Sequence, residues 1–180
     1  MHTITNIQNQ ANPFVLLKCE IRDFDNLFYP SDVRDKLSAN IVRGKWCPTT
    51  ESFFKIAAST WHFPYYFGEN WDAFDECIND LEWVKPSNYI FAISDINKLF
   101  NEEDDEHLDT LFMLLNEAHK SWTTGENQRI AGDSTSEHID FTVWLHMEKD
   151  VTPNKHLQRI IEDKQITIIE PGSLSGVASV

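Results

Sequence analysis

Residues 63–78 read FPYYFGENWDAFDECI and combine a turn with the start of a helix. Pro64 fixes its own φ and keeps Phe63 out of the α region, so any preceding helix has to end before this point. Gly68 offers a positive φ for a tight loop, and Asn70 is a suitable N-cap for a new helix. The stretch therefore predicts a loop and then a helix that begins directly after Asn70.

This helix is predicted to be amphipathic, with apolar residues at i, i+3, i+4 and i+7 on one stripe that faces a core. The stripe comprises Phe74, Cys77, Ile78 and Leu81. The opposite face carries Asp72, Asp75, Glu76, Asn79, Asp80 and Glu82. Like charges three or four residues apart cost about 0.2–0.5 kcal/mol per pair, and no Lys or Arg occurs between Lys55 and Lys85. The face is either the solvated side of an acidic protein or a surface that meets positive charge.

The composition indicates one folded, acidic domain. The chain has 180 residues, of which 41% are hydrophobic and 12% aromatic, enough for a single sizeable core. Its 15 Lys and Arg against 29 Asp and Glu give a formal charge of −14. This charge argues against nucleic acid or an anionic membrane as the direct partner and favours a basic protein. It indicates no particular oligomeric state.

Cysteine usage and the lack of targeting segments favour the cytoplasm. Cys19, Cys47 and Cys77 are odd in number and form no CxxC pair, so they indicate neither a disulfide framework nor a zinc site. Residues 1–6 lack a basic segment followed by an apolar run. No window approaches the roughly 18 apolar residues of a membrane span. We therefore expect a cytoplasmic protein without a membrane span.

Strands and helices alternate along the rest of the chain, which predicts an α/β fold with a small parallel sheet. Strands are predicted at 14–21, 41–44, 89–93, 139–146 and 166–169. Helices are predicted at 30–37, from a Thr50 cap to a point before Pro64, at 108–122 and at 155–162. Strand 139–146 alternates apolar and polar residues, so we expect it to have unlike faces. Residues 123–138 are expected to form a polar loop and residues 171–176 a flexible tail.

The sequence carries no signature of catalysis or of a resident cofactor. The GxGxxG, GxxxxGK[ST] and HExxH patterns and a serine elbow are absent. The histidines lack ligand spacing, and His138 and His146 are expected at a surface or a sheet edge. Asp72 and Glu76 could act as an acid–base pair, but we expect them on an exposed face rather than in a cleft. The acidic run at 101–106 lacks the central glycine of a calcium loop. We expect neither an enzyme nor a metal or cofactor site.

Residues 41–83 resemble the barstar family of intracellular ribonuclease inhibitors. The match is ungapped from residue 41 to residue 64 and strongest over 64–73, PYYFGENWDA, where a turn, an Asn cap and an acid recur at the family's spacing. The segments 89–93, 117–118 and 141–145 match in order and character. The resemblance thus covers residues 41–146.

The resemblance implies a barstar-like domain at 41–146 with a small, three-stranded parallel sheet packed by helices. It leaves an N-terminal extension at 1–40, expected to place a strand and a short helix on the same core. It also leaves a C-terminal extension at 147–180 that ends in the flexible tail.

The resemblance also implies a binding site. In the family, a helix and the preceding loop plug a ribonuclease active site, and their carboxylates take the positions of RNA phosphates. The matching positions here are Tyr66, Asp72, Glu76 and Glu117. Their neighbours Asp75, Asn79 and Asp80 complete the expected partner-binding set.

This chain departs from the family's prototype at contact positions. Glu76 stands where the prototype has aspartate, Asp75 replaces a tryptophan, and Asp80-Leu81 replaces a glycine and a tryptophan. We therefore expect an inhibitor of a basic nuclease toxin other than barnase, with a ribonuclease favoured over another kind of nuclease, acting as an immunity protein. The alternative is a barstar-like binding or regulatory module for a basic protein that is not a nuclease.

Overall fold

The computed structural model describes residues 12–28, 37–84, 88–126 and 139–170, which form five strands and five α-helices. The strands are β1 (Phe14–Lys18), β2 (Leu37–Arg43), β3 (Asn88–Ser94), β4 (Phe141–Met147) and β5 (Thr167–Ile169). The helices are α1 (Ile21–Asn26), α2 (Thr50–Trp61), α3 (Trp71–Asp80), α4 (Glu106–Thr124) and α5 (Lys155–Asp163). Short 3-10 turns follow β2 at Gly44–Trp46 and β3 at Ile96–Lys98.

The strands form one parallel sheet in the order β2-β3-β4-β1-β5. The predicted α/β class with a parallel sheet is confirmed. The sheet has five strands rather than the three implied by the resemblance, because β1 and β5 extend it from outside residues 41–146. β1 pairs with β4 from Phe14 opposite Val143 to Lys18 opposite Met147, so the N-terminal strand lies inside the sheet rather than at its edge.

Several predicted boundaries need correction. Leu37, predicted at the end of a helix, is the first residue of β2, and residues 30–36 of that predicted helix lie outside the described residues. Helix α1 was not predicted from the sequence. Helix α4 continues through Thr124, two residues into the predicted loop. The rest of that loop from residue 127, with His138, and the tail at 171–176 lie outside the described residues.

One face of the sheet packs against α2, α3, α4 and α5 in a core rich in aromatic rings. Phe91 of β3 stacks on Trp61 of α2, with centroids 5.3 Å apart and planes 4° from parallel. Phe14 of β1 packs against Phe112 of α4 at 5.0 Å. Such aromatic pairs contribute roughly 0.5–1.5 kcal/mol each beyond their area burial, so they fix the helices on this face.

The other face is covered in part by α1, which buries β4 on both sides. Phe24 of α1 is 0% exposed and lies 5.0 Å from the ring of His146. The expectations of a strand with unlike faces and of a surface or edge position for His146 are therefore wrong. Trp144 and His146, on the side predicted to be polar, are buried because α1 packs there.

Close contacts fix the turns that follow β2 and β3. A Cβ on Gly44 would lie 2.6 Å from the Ser94 carbonyl oxygen and 2.7 Å from that of Asp95, so glycine is needed for this approach of two backbones. Helix α2 then begins with Thr49 as its N-cap rather than the predicted Thr50. The Thr49 hydroxyl accepts the Ser52 N–H at 3.2 Å, which shifts the start of the helix by one residue.

The three cysteines are buried and free. Burial raises the thiol pKa of Cys47 to about 12 and those of Cys19 and Cys77 to about 11, so they are protonated thiols at neutral pH. The longest described helix, α4, has 19 residues, and none of the described helices combines the length and apolar character that a bilayer crossing needs.

Candidate protein-binding site

Helix α3 starts as predicted, with Asn70 as its N-cap. The Asn70 Oδ1 accepts the Ala73 N–H at 2.9 Å, and its Nδ2 donates to the Gly68 carbonyl at 3.1 Å. The positive φ of this loop, 49°, occurs at Glu69 and not at Gly68 as predicted. Gly68 instead gives room to the cap, since a Cβ there would lie 3.0 Å from the Asn70 Nδ2.

The apolar stripe of α3 is buried as predicted: Phe74, Cys77, Ile78 and Leu81 are each at most 4% exposed. The helix is tied to α4 by the Trp122 indole, whose Nε1–H donates to the Ile78 carbonyl at 3.1 Å. At its first turn, Trp71 packs against Phe54 at 5.0 Å. Helices α2 and α4 thus hold α3, and its acidic side is turned outward.

The outward side of α3 carries four carboxylates that differ in solvent exposure. Asp72 and Glu76 are exposed, whereas Asp75 and Asp80 are half-buried. Asn79, predicted to contact a partner, donates from Nδ2 to the Asp75 carbonyl and to its Oδ1, both at 2.9 Å. Asn79 therefore orients Asp75 within the protein.

Helix α4 adds a fifth carboxylate to this side. Glu117 is exposed on α4. The pKa of Asp75 is raised first by the partial burial of Asp75 and then by the charge of Glu117. Asp72 adds to the same shift, while the Asn79 hydrogen bond opposes it. We call the surface formed by Asp72, Asp75, Glu76 and Asp80 of α3 with Glu117 of α4 the acidic face.

Tyr66 lies beside the acidic face and is 60% exposed. Partial desolvation and then the charge of Asp80 raise the pKa of its phenol, with smaller contributions that include Glu82 and Glu76. Tyr66 is thus a neutral phenol at physiological pH, and it can donate a hydrogen bond at the rim of the carboxylates.

Within the described residues, no Lys or Arg lies within ion-pair distance of the acidic face. Lys55, the last cation before α3 in the chain, is bound to Glu51 on its own helix at 2.5 Å. Other described pairs, such as Arg43 with Asp25, lie elsewhere in the fold. The acidic face therefore carries mutual repulsion, and the described part of the chain supplies no counter-charge for it.

The acidic face and its turn lie inside a segment that matches a known family. The family model described as Barstar (barnase inhibitor) matches residues 38–145, more than half of the chain. The chain belongs to the barstar family. The resemblance expected from residues 41–146 is thereby confirmed, with nearly the same boundaries.

Similarity to solved structures extends beyond this barstar segment but shows the fold alone. A structure of Drosophila ORC bound to AT-rich DNA and Cdc6 superposes with a TM-score of 0.51 at 11% identity, covering 94% of this chain and 51% of that one. The Aeropyrum pernix ORC2 protein in ADPNP–ADP complexes gives a TM-score of 0.57 at 8% identity, covering 92% and 43%. The barstar chain thus spans about half of these structures or less. No curated protein matches its sequence with significance.

The structure places every predicted site residue of this barstar domain on or beside the acidic face. Asp72, Asp75, Glu76, Asp80 and Glu117 form it, Tyr66 lies beside it, and Asn79 supports it by its hydrogen bonds to Asp75. Sequence reasoning missed Tyr65, which precedes Tyr66 in the turn and is 101% exposed. Two adjacent aromatic residues directly after a proline were the signal that could have pointed to it.

Replacing Asp75 with Asn is expected to stabilise the protein at neutral pH. The pKa of Asp75 is higher in the folded state than in the unfolded chain. Ionised Asp75 therefore destabilises the folded state at pH values above the folded-state pKa, and this destabilisation is lost as the pH falls below that pKa. Relief of one like-charge pair is worth about 0.2–0.5 kcal/mol, or a Tm increase of about 0.4–2 °C at this size. Thermal melts of both proteins from neutral to acidic pH should show a gain that shrinks on acidification; a lower Tm for Asp75→Asn at neutral pH would contradict the argument.

Proposed function

We propose that this chain inhibits a ribonuclease by covering its active site with α3 and the preceding turn. The observation that carries the proposal is the acidic face, whose carboxylates have no internal counter-charge among the described residues. Membership of a family described as barnase inhibitors supports the same reading. A ribonuclease has to bind RNA phosphates and so presents cations, which these carboxylates can bind in place of the phosphates.

The energetics of such a complex favour rapid capture. Repulsion among Asp72, Asp75 and Glu76 raises the free energy of the unbound inhibitor, and a cationic cleft removes that repulsion on binding. The formal charge of −14 steers a basic partner toward the inhibitor over a distance limited by salt screening. An inhibitor of a toxic enzyme has to capture it quickly, so a fast association rate is an advantage.

The exposure of Asp72 and Glu76 supports binding rather than catalysis. An acid–base pair requires one carboxyl group in a desolvating cleft beside an ionised partner, and these two residues lie on an open helix side. In this proposal the protein uses no cofactor and occludes the nuclease without chemical change. It acts in the cytoplasm as an immunity protein against a toxin nuclease.

The extensions have a structural role in this proposal. β1 lies between β4 and β5 and buries Phe14 and Leu16 beneath the helices that carry the acidic face. Residues 1–40 and 147–180 would then strengthen the platform under the barstar domain rather than contact the nuclease.

Capture followed by an activity assay tests the proposal. The immobilised full chain is exposed to extract from its own organism, and bound proteins are eluted, identified and assayed for RNA cleavage. We expect a basic protein that cleaves RNA when free and loses this activity when one equivalent of the chain is added. Captured basic proteins without nuclease activity would overturn inhibition and favour the binding-module alternative.

A further inference from the structure

The turn that precedes α3 carries two exposed aromatic side chains on a rigid support. The Phe67 N–H donates to the Pro64 carbonyl at 3.0 Å, which makes Tyr65 and Tyr66 the central residues of a hydrogen-bonded turn. Phe63 is buried, and Phe67 packs against it at 5.0 Å. Both ends of the turn are therefore anchored in the core while its two central rings project outward.

The two rings are arranged to leave Tyr65 open to a partner. Tyr65 is 101% exposed, and its ring meets that of Tyr66 edge to face, with centroids 5.5 Å apart and planes at 79°. A tyrosine fixed on a rigid backbone offers a large contact area at low cost in conformational entropy. A side chain this exposed contributes little to folding, so its burial becomes possible only in a complex.

Helix α3 offers no comparable aromatic surface. Phe74 is buried, Trp71 is half-buried against the core, and position 81, a tryptophan in the family's prototype, is a leucine that is 1% exposed. Asp75 occupies the other prototype tryptophan position. In the described part of the chain, the exposed aromatic surface beside the acidic face therefore consists of Tyr65 and Tyr66.

We infer that Tyr65 is the main aromatic anchor for the partner and that it packs on the guanidinium of an arginine held by the neighbouring carboxylates. The Tyr65 ring contacts that of Tyr66 at 5.5 Å in the turn directly before α3, and the charges of Asp80, Glu82 and Glu76 act on the Tyr66 phenol, so Tyr65 reaches the acidic face through Tyr66. Guanidinium stacks on an aromatic face and binds carboxylates through its planar fork, whereas the compact, strongly hydrated lysine ammonium does this less well. The inference relies on the proposed function for the basic character of the partner and adds that arginine is preferred to lysine.

Binding of two model peptides to the full chain tests this inference. The probes are N-acetylated hexa-arginine and hexa-lysine amides, titrated by calorimetry at low ionic strength, where charge attraction is least screened. We expect the arginine peptide to bind more tightly. Tyr65→Leu, which keeps apolar area but removes the π face, should weaken its binding by about 2- to 30-fold and leave the lysine peptide almost unaffected. Tyr65→Phe, which keeps the π face, should bind like the wild type.

Trp46→Leu provides a matched control, because Trp46 is also an exposed aromatic residue, 58% exposed, but lies in the turn after β2. It should leave the binding of both peptides unchanged. Equal affinities of the wild type for the two peptides, or no loss of arginine-peptide affinity in Tyr65→Leu, would overturn the inference. If Asp72→Asn weakened binding of the arginine peptide and Tyr65→Leu did not, the aromatic anchor would be overturned. The inhibitor proposal would still stand, since it is tested separately by RNA cleavage.

Discussion

Removing two charges from the acidic face, as Asp72→Asn together with Glu76→Gln, is expected to weaken ribonuclease inhibition by about 2–5 kcal/mol, or roughly 30- to 5,000-fold in Kd. Both substitutions keep the shape of the side chain. A cation of the nuclease that is buried in the complex would lose its partner, and most of the loss comes from leaving that cation unpaired. This range is the usual cost of truncating one partner of a buried, hydrogen-bonded charge pair; for barnase and its inhibitor, the prototype of this family, close charge pairs show coupling energies of about 1.5–7 kcal/mol.

The folded state should tolerate the same change. Asp72 and Glu76 are exposed, and neither forms an ion pair within the described residues. Loss of Asp72 from the first turn of α3 removes a favourable interaction with the helix dipole of about 0.3–1 kcal/mol. Relief of the repulsion between the two acids offsets part of this cost, so Tm should change by only a few degrees.

Inhibition titrations with the captured nuclease at two salt concentrations measure this effect. The double variant should also show a lower association rate and a weaker dependence on salt, because fewer charges steer the encounter. Glu162→Gln with Asp163→Asn on α5 removes the same net charge from an exposed helix elsewhere and should inhibit almost as well as the wild type. Equal potency of the Asp72/Glu76 variant and this control would rule out occlusion by the acidic face.

Local features of α3 could be predicted from the sequence because they depend on near neighbours. The Asn70 cap uses a donor three residues away, and the spacing of Phe74, Cys77 and Ile78 fixes which side of the helix is buried. The sequence also showed that the outer side of α3 is acidic and that no Lys or Arg lies between Lys55 and Lys85 to neutralise it. Which acid is orientated by Asn79, and which is half-buried, depends on packing and was visible only in the structure.

Features that depend on distant parts of the chain could not be predicted. The insertion of β1 between β4 and β5 joins residues more than a hundred positions apart, and no local pattern specifies that order. His146 alternates with apolar residues as a surface residue would, but α1, a six-residue helix with little sequence signal, buries it. The positive φ at Glu69 was also missed, because glycine at the preceding position serves packing against the Asn70 amide.

His146 joins four separate segments and is fully buried, with 0% exposure. Its Nδ1 lies 3.2 Å from the Asp95 backbone nitrogen and accepts that N–H. Its Nε2 lies 2.9 Å from the Cys19 carbonyl oxygen, which can only accept, so the proton resides on Nε2 and the ring is neutral. The ring therefore links β4 to the segment after β1 and to the turn after β3, and it packs on Phe24 of α1.

Replacing His146 with Phe, which keeps an aromatic ring but removes both ring nitrogens, is expected to destabilise the protein by about 3–5 kcal/mol. The substitution leaves the buried Asp95 N–H and Cys19 carbonyl without partners, at about 1–3 kcal/mol each, and it forces a larger ring into a packed site. Thr142→Val on the same strand and face is the matched contrast, because the buried Thr142 hydroxyl has no hydrogen-bond partner among the described residues and its removal should be neutral or stabilising. Urea unfolding of the three proteins measures both effects. A loss below about 1 kcal/mol for His146→Phe would contradict the role of the two hydrogen bonds. A large loss for Thr142→Val would instead show that the Thr142 hydroxyl makes a stabilising hydrogen bond.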